Sequence, residues 1–86
     1  MKEQKDIMES ISKLYFDYAC RALLGGGKGT TMMAQLYKDN KQLYFMFLGA
    51  AKKCLIRVDG YKLETIEKGE KQLEAFIRGL KEEGGD

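Results

Sequence analysis

The residues best suited to chemistry stand together in LLGGGKGTTMM, Leu23 to Met33, where four glycines surround Lys28 and two threonines follow. Glycine amides, a lysine and a hydroxyl are the materials of a phosphate-binding loop. A Walker A loop reads G-x-x-x-x-G-K-[ST] and leads from a strand into a helix. Here Gly29 separates Lys28 from Thr30, and the stretch follows a helical pattern and precedes a strand-like one. The neighbouring helix end is then a carboxyl end, which repels phosphate. Gly26 to Gly29, GGKG, also fits the GXXG clamp of KH domains, but that loop joins two helices and its fold needs an earlier strand that no residues here supply. The reading that follows is a flexible helix-to-strand turn with Lys28 incidental.

Little else in the chain suggests catalysis. There is no histidine, so the commonest acid–base group and metal ligand is missing. Cys20 and Cys54 are the only cysteines and read as buried thiols rather than a disulfide or a metal pair. Asp39 and Asp59 read as turn residues rather than a carboxylate pair. The expectation is a non-enzymatic protein with no catalytic residues, no cofactor and no metal.

The 86 residues suit a single small domain, 1–86, with frayed ends at about 1–5 and 83–86. The uncharged apolar run Tyr44 to Ala51 is too short for a bilayer, which needs roughly 20 residues. The amino terminus, MKEQKDIMES, lacks the apolar centre of a signal peptide, so a cytoplasmic protein is expected.

Asp6 to Leu24 reads as a helix. Asp6 and Glu9 form a capping-box variant, Ile7, Ile11, Leu14, Tyr15, Tyr18 and Ala22 recur at helical spacing, and Gly25 suits a left-handed carboxyl cap. Gly69 to Glu83 reads as a second helix through Leu73, Phe76, Ile77 and Leu80, ended by Gly84. Between them, Asp39-Asn40 and Asp59-Gly60 are hairpin signals. With Gly49 to Lys52 as a further loop, Phe45 faces Ala34 and Ile56, and Phe47 faces Met32 and Cys54. The predicted fold is α+β, an antiparallel meander of three to four strands between an amino-terminal and a carboxyl-terminal helix (α-β-β-β-β-α), with both helices on the Phe45 face. A competing reading makes Thr30 to Asn40 a short helix, because Met32, Met33, Leu36 and Tyr37 also fit helical spacing.

The other sheet face would carry Met33, Tyr37, Tyr44, Met46, Leu48, Lys53, Leu55 and Arg57 and lack cover from its own chain. Met46, Leu48 and Leu55 are too apolar to stay wet, so this face is the candidate interface. Charge adds a hint: residues 28–62 hold seven basic side chains and two acidic ones, within a chain whose net charge is +2. The α-β-β-β-α order resembles the double-stranded RNA-binding domain and the Alu-binding subunits of the signal recognition particle. The first opens its last helix with K-K-x-A-K where this chain has EKGEKQL, Glu67 to Leu73. The second shares only the general run KCLIRVDGYKLETI, Lys53 to Ile66, and no family is assigned. The expected function is a binding or regulatory module acting through protein association, as a homodimer or with another protein. The alternative is nucleic-acid binding, RNA or single-stranded DNA, through the same basic, tyrosine-bearing face.

Overall fold

The computed structural model describes the backbone of residues 2–83 and the side chains of residues 9–79. It is all-helical: α1 Lys2–Leu23, α2 Gly27–Asp39, α3 Lys41–Arg57 and α4 Leu63–Glu83, with no strand among the described residues. The predicted meander is therefore wrong, and with it the α+β class and the resemblance in element order. The competing helical reading of 30–40 is the one the fold adopts. The molecule measures 41 × 36 × 20 Å. Its thickness is about two helix diameters, so the helices lie in two layers.

Each helix buries a stripe at helical spacing. In α3 it is Tyr44, Leu48, Ala51 and Leu55; in α2, Met33, Ala34 and Leu36; in α4, Ile66, Gly69 and Leu73. α1 adds Tyr18, Ala19, Ala22 and Leu23 from its carboxyl half. Full burial of a side chain the size of Leu23, Met33, Ile66 or Leu73 contributes ~1.5–3 kcal/mol. The strand register failed for an identifiable reason. Leu43 to Leu48 are six apolar residues in a row, so they place apolar groups on both faces of any strand in any register. Any choice of turns around this run therefore brings apolar residues onto one face.

The turns expected at Gly25, Asp39-Asn40 and Asp59-Gly60 do mark chain reversals, but between helices, whereas the loop expected at Gly49 to Lys52 lies inside α3. Gly25 has φ 89°, the Gly26 amide donates to the Arg21 carbonyl (2.6 Å) and the Gly25 amide to the Ala22 carbonyl (3.2 Å). That pair of bonds is a Schellman ending. Asn40 alone separates α2 from α3: its amide donates to the Leu36 carbonyl (2.7 Å), and its side-chain oxygen accepts from the Leu43 amide (3.2 Å). Gly60, at φ 79°, turns the chain into α4. At the start of the chain, α1 is already helical at Lys2, one turn before the expected Asp6 cap. Lys2–Lys5 and Glu83, expected to fray, belong to helices. Met1 and the expected stop at Gly84 lie outside the described residues.

Two glycines bring backbones together on the end of α1. A Cβ on Gly29 would stand 2.6 Å from the Tyr18 carbonyl oxygen and 2.9 Å from the Ala22 amide nitrogen. A Cβ on Gly69 would stand 2.6 Å from the Leu23 carbonyl carbon. α2 and α4 thus dock on the same stretch of α1. Across the fold, the Lys52 ammonium donates to both carboxylate oxygens of Glu70 (3.0 and 3.2 Å), tying α3 to α4.

Candidate functional site

The eight residues expected on one face are divided by the helices. Met33, Tyr44, Leu48 and Leu55 are core, Tyr37 is half-buried, and Met46, Lys53 and Arg57 are exposed. The physical reason is the period: positions two apart, neighbours on a strand face, lie about 200° apart around a helix. Phe45, expected at the centre of the covered face, is 59% exposed. On α3, Leu43, Phe45 and Met46 are exposed apolar side chains in the helix's first two turns, with Met46 between the directions of the other two. Lys53 and Arg57 follow about two and three turns beyond Met46.

Beside this surface lies a cleft of about 230 Å³ lined by Tyr37, Tyr44, Phe45, Glu74, Ile77 and Arg78. The one-residue junction at Asn40 folds the end of α2 against the start of α3 and so brings three rings together. Tyr37 and Tyr44 meet edge to face at 5.1 Å between centroids, Tyr44 and Phe45 at 4.9 Å, Tyr37 and Phe45 at 6.3 Å. The Lys41 ammonium sits 5.2 Å from the Tyr37 centroid. α4 supplies the opposite wall, with Glu74 and Arg78 one turn apart and Ile77 beside Arg78. Neither Glu74 nor Arg78 forms an ion pair among the described residues.

Tyr44 is 1% exposed, and its hydroxyl is buried with no hydrogen-bond partner. Burial pushes its pKa up to about 12, with help from the Glu74 and Glu70 carboxylates and Tyr37, so the hydroxyl keeps its proton at any physiological pH. An unpartnered buried hydroxyl costs ~1–3 kcal/mol of desolvation. Sequence reasoning placed Tyr37 and Tyr44 on an interface but could not find the cleft. The available signal was Tyr37, Lys41, Tyr44 and Phe45 within nine residues, and it depends on the sharp bend at Asn40.

The glycine loop also changes meaning. It joins two helices, and the end it presents is the amino end of α2 as well as the carboxyl end of α1. Gly26 provides no side-chain cap and the first turn holds no acidic residue. Thr30 and Thr31 donate their hydroxyls to the carbonyls of Gly26 (2.9 Å) and Gly27 (3.2 Å), within the helix.

A second, wider groove contains both thiols, Cys20 and Cys54, with Asp17, Asp59 and Tyr61 on its walls. Burial, then Cys54, Asp17 and Asp59, pushes the Cys20 thiol up to about 11, away from the reactive thiolate. Both cysteines are unbonded and half-buried rather than fully buried as expected. Among the described residues no group of three or more His, Cys, Asp or Glu could hold a metal ion, and no helix is long and apolar enough to cross a membrane.

No family model, no curated protein and no solved structure matches the chain.

Proposed function

We propose that this chain is a small non-enzymatic association module that pairs with a second copy of itself through the amino-terminal half of α3. The observation that carries the reading is the adjacent exposure of Phe45 (59%) and Met46 (57%), with Leu43 one turn before Met46. Large apolar side chains grouped on one helix mark association surfaces more often than solvent-facing ones. Charge supports a second copy as the partner. Residues 28–62 carry a net +5 and residues 63–86 a net −3, so the α4 region of one molecule complements α3 of another. The compartment that goes with this reading is the cytosol.

Met46→Lys tests it. The lysine would have to lose water in the dimer but can reach water in the monomer. Light scattering should find the wild type dimeric and the variant monomeric, with the same helical circular dichroism. A wild type that stays monomeric at high concentration removes self-association. A variant that unfolds shows Met46 to be a core residue and removes the surface itself.

Nucleic-acid binding is the second reading. What favours it is the uncapped amino end of α2, with Lys28 in its first turn. Retention on heparin or mixed RNA across a salt gradient separates the two readings, because counterion release makes phosphate binding fall steeply with salt. An apolar interface is largely indifferent to it.

A further inference from the structure

The cleft between α2, α3 and α4 has Tyr44 on its wall, and the buried hydroxyl of that residue is left without a hydrogen-bond partner by packing within the chain. We propose that this cleft binds a primary alkylammonium group, which donates hydrogen bonds to the Tyr44 hydroxyl oxygen and the Glu74 carboxylate while its methylene chain lies along Phe45, Tyr37 and Ile77. Several features of the cleft select that chemistry. At about 230 Å³, the space suits one side chain or a small amine rather than a folded partner. The charged neighbours felt at the Tyr44 hydroxyl are carboxylates, Glu74 and then Glu70. Glu70 is matched by Lys52, which leaves Glu74 as the acid of the pair without an ion pair among the described residues. A donor-rich cation satisfies both oxygens at once, whereas an anion would meet Glu74. The aromatic walls are of the kind that attract cations. Within the chain itself the Lys41 ammonium already sits over Tyr37, 5.2 Å from the ring centre. Arg78 is exposed, so it can turn its guanidinium to water while its stem stays on the cleft wall.

The same group can come from a free aliphatic amine or from a lysine side chain of a peptide. Phe45 belongs both to the cleft wall and to the exposed apolar side chains of α3, but the two hydrogen-bonding groups, on Tyr44 and Glu74, do not, so the site does not rest on self-association. The test is a titration followed by the ring resonances of Tyr37, Tyr44 and Phe45. The probes are n-pentylammonium, 1-pentanol, pentanoate and N-acetyl-Gly-Lys-Gly-amide. Saturable shifts with pentylammonium, absent with pentanol and pentanoate, are expected. Glu74→Gln and Tyr44→Phe should each weaken the binding about tenfold, the loss typical of one charge-assisted hydrogen bond. Tyr44→Phe should leave the free protein at least as stable as wild type, so lost binding would not reflect lost folding. A stronger response to the lysine peptide than to pentylammonium assigns the ammonium to a protein partner, and the reverse to a free amine. Equal shifts from pentanol would make the cleft merely apolar. Tighter binding of pentanoate would make it an anion site built on Arg78. No saturable shift from either ammonium probe would show that the hydroxyl is simply hydrated. Each of these three results overturns the proposal.

Discussion

Gly69 and Gly79 lie in the same helix yet answer opposite demands. By propensity alone, alanine in place of a helical glycine gains ~1 kcal/mol. Gly79 has nothing within 4 Å of an added Cβ, so Gly79→Ala should raise stability by about that amount, or ~4–8 °C in melting temperature for a domain of this size. Gly69→Ala should instead lose ~1–3 kcal/mol or more, because its Cβ meets the backbone of Leu23, which cannot swing aside as a side chain could. Chemical denaturation of the two variants checks both signs. If Gly69→Ala is also stabilising, α4 does not dock on α1 as described. Tyr44 adds a pH dependence. Its folded pKa, about 12, lies above the ordinary 10, so the folded state holds this proton more tightly than the unfolded state does. Stability from this group is complete below about pH 10 and is lost as pH rises toward about 12. Tyr44→Phe should flatten that part of the alkaline decline. A decline of equal slope in the variant would assign it to other groups.

Asn40 serves two helices at once, as the carboxyl cap of α2 and the amino cap of α3. Asn40→Ala keeps the backbone bond to Leu36 but removes the side-chain acceptor for the Leu43 amide. The expected cost is ~1 kcal/mol, read by denaturant titration. The same bend sets Tyr37 against Tyr44 and Phe45, so the variant should also disturb those ring resonances. Unchanged ring shifts would show that packing alone holds the bend. The α3 core stripe should respond quite differently from its outer face. Leu48→Ala should cost ~2–5 kcal/mol as a cavity in a packed core. Phe45→Ala, at a residue 59% exposed, should cost far less. Near-equal losses would place Phe45 in the core after all.

In the molecule as a whole, the carboxyl half of α1 is the hub. Gly29 brings α2 onto Tyr18 and Ala22, Gly69 brings α4 onto Leu23, and Tyr15 stacks on Phe47 of α3 at 5.9 Å. The earlier turns are less covered: Ile11 and Leu14 are each about half exposed. Hydrogen exchange should therefore be slowest for amides of Tyr18 to Leu23 and faster for those of Ser10 to Leu14, because local opening is easiest where few apolar contacts break. Uniform protection along α1 would mean that something covers its first half, and a second copy of the chain is then the first candidate.

The turns were legible in the sequence because they depend on local chemistry. Gly25 and Gly60 tolerate the positive φ their reversals need, Asn40 caps α3 with its side chain, and each stands where the chain bends. The two outer helices were legible through their apolar period and their length. The middle of the chain was not. Leu43 to Leu48 is continuously apolar, so its period is undefined until neighbours choose which side chains to bury. The choice fell on Tyr44, Leu48, Ala51 and Leu55, because a helix can present these four together to α1, α2 and α4. It left Phe45 and Met46 outside and put half of the expected exposed face into the core. The glycine-rich stretch shows the same division. That the chain turns there follows from Gly25 alone. That Gly29 must lack a side chain follows only from the approach of α2 to the backbone of α1, a contact between residues that no local pattern records.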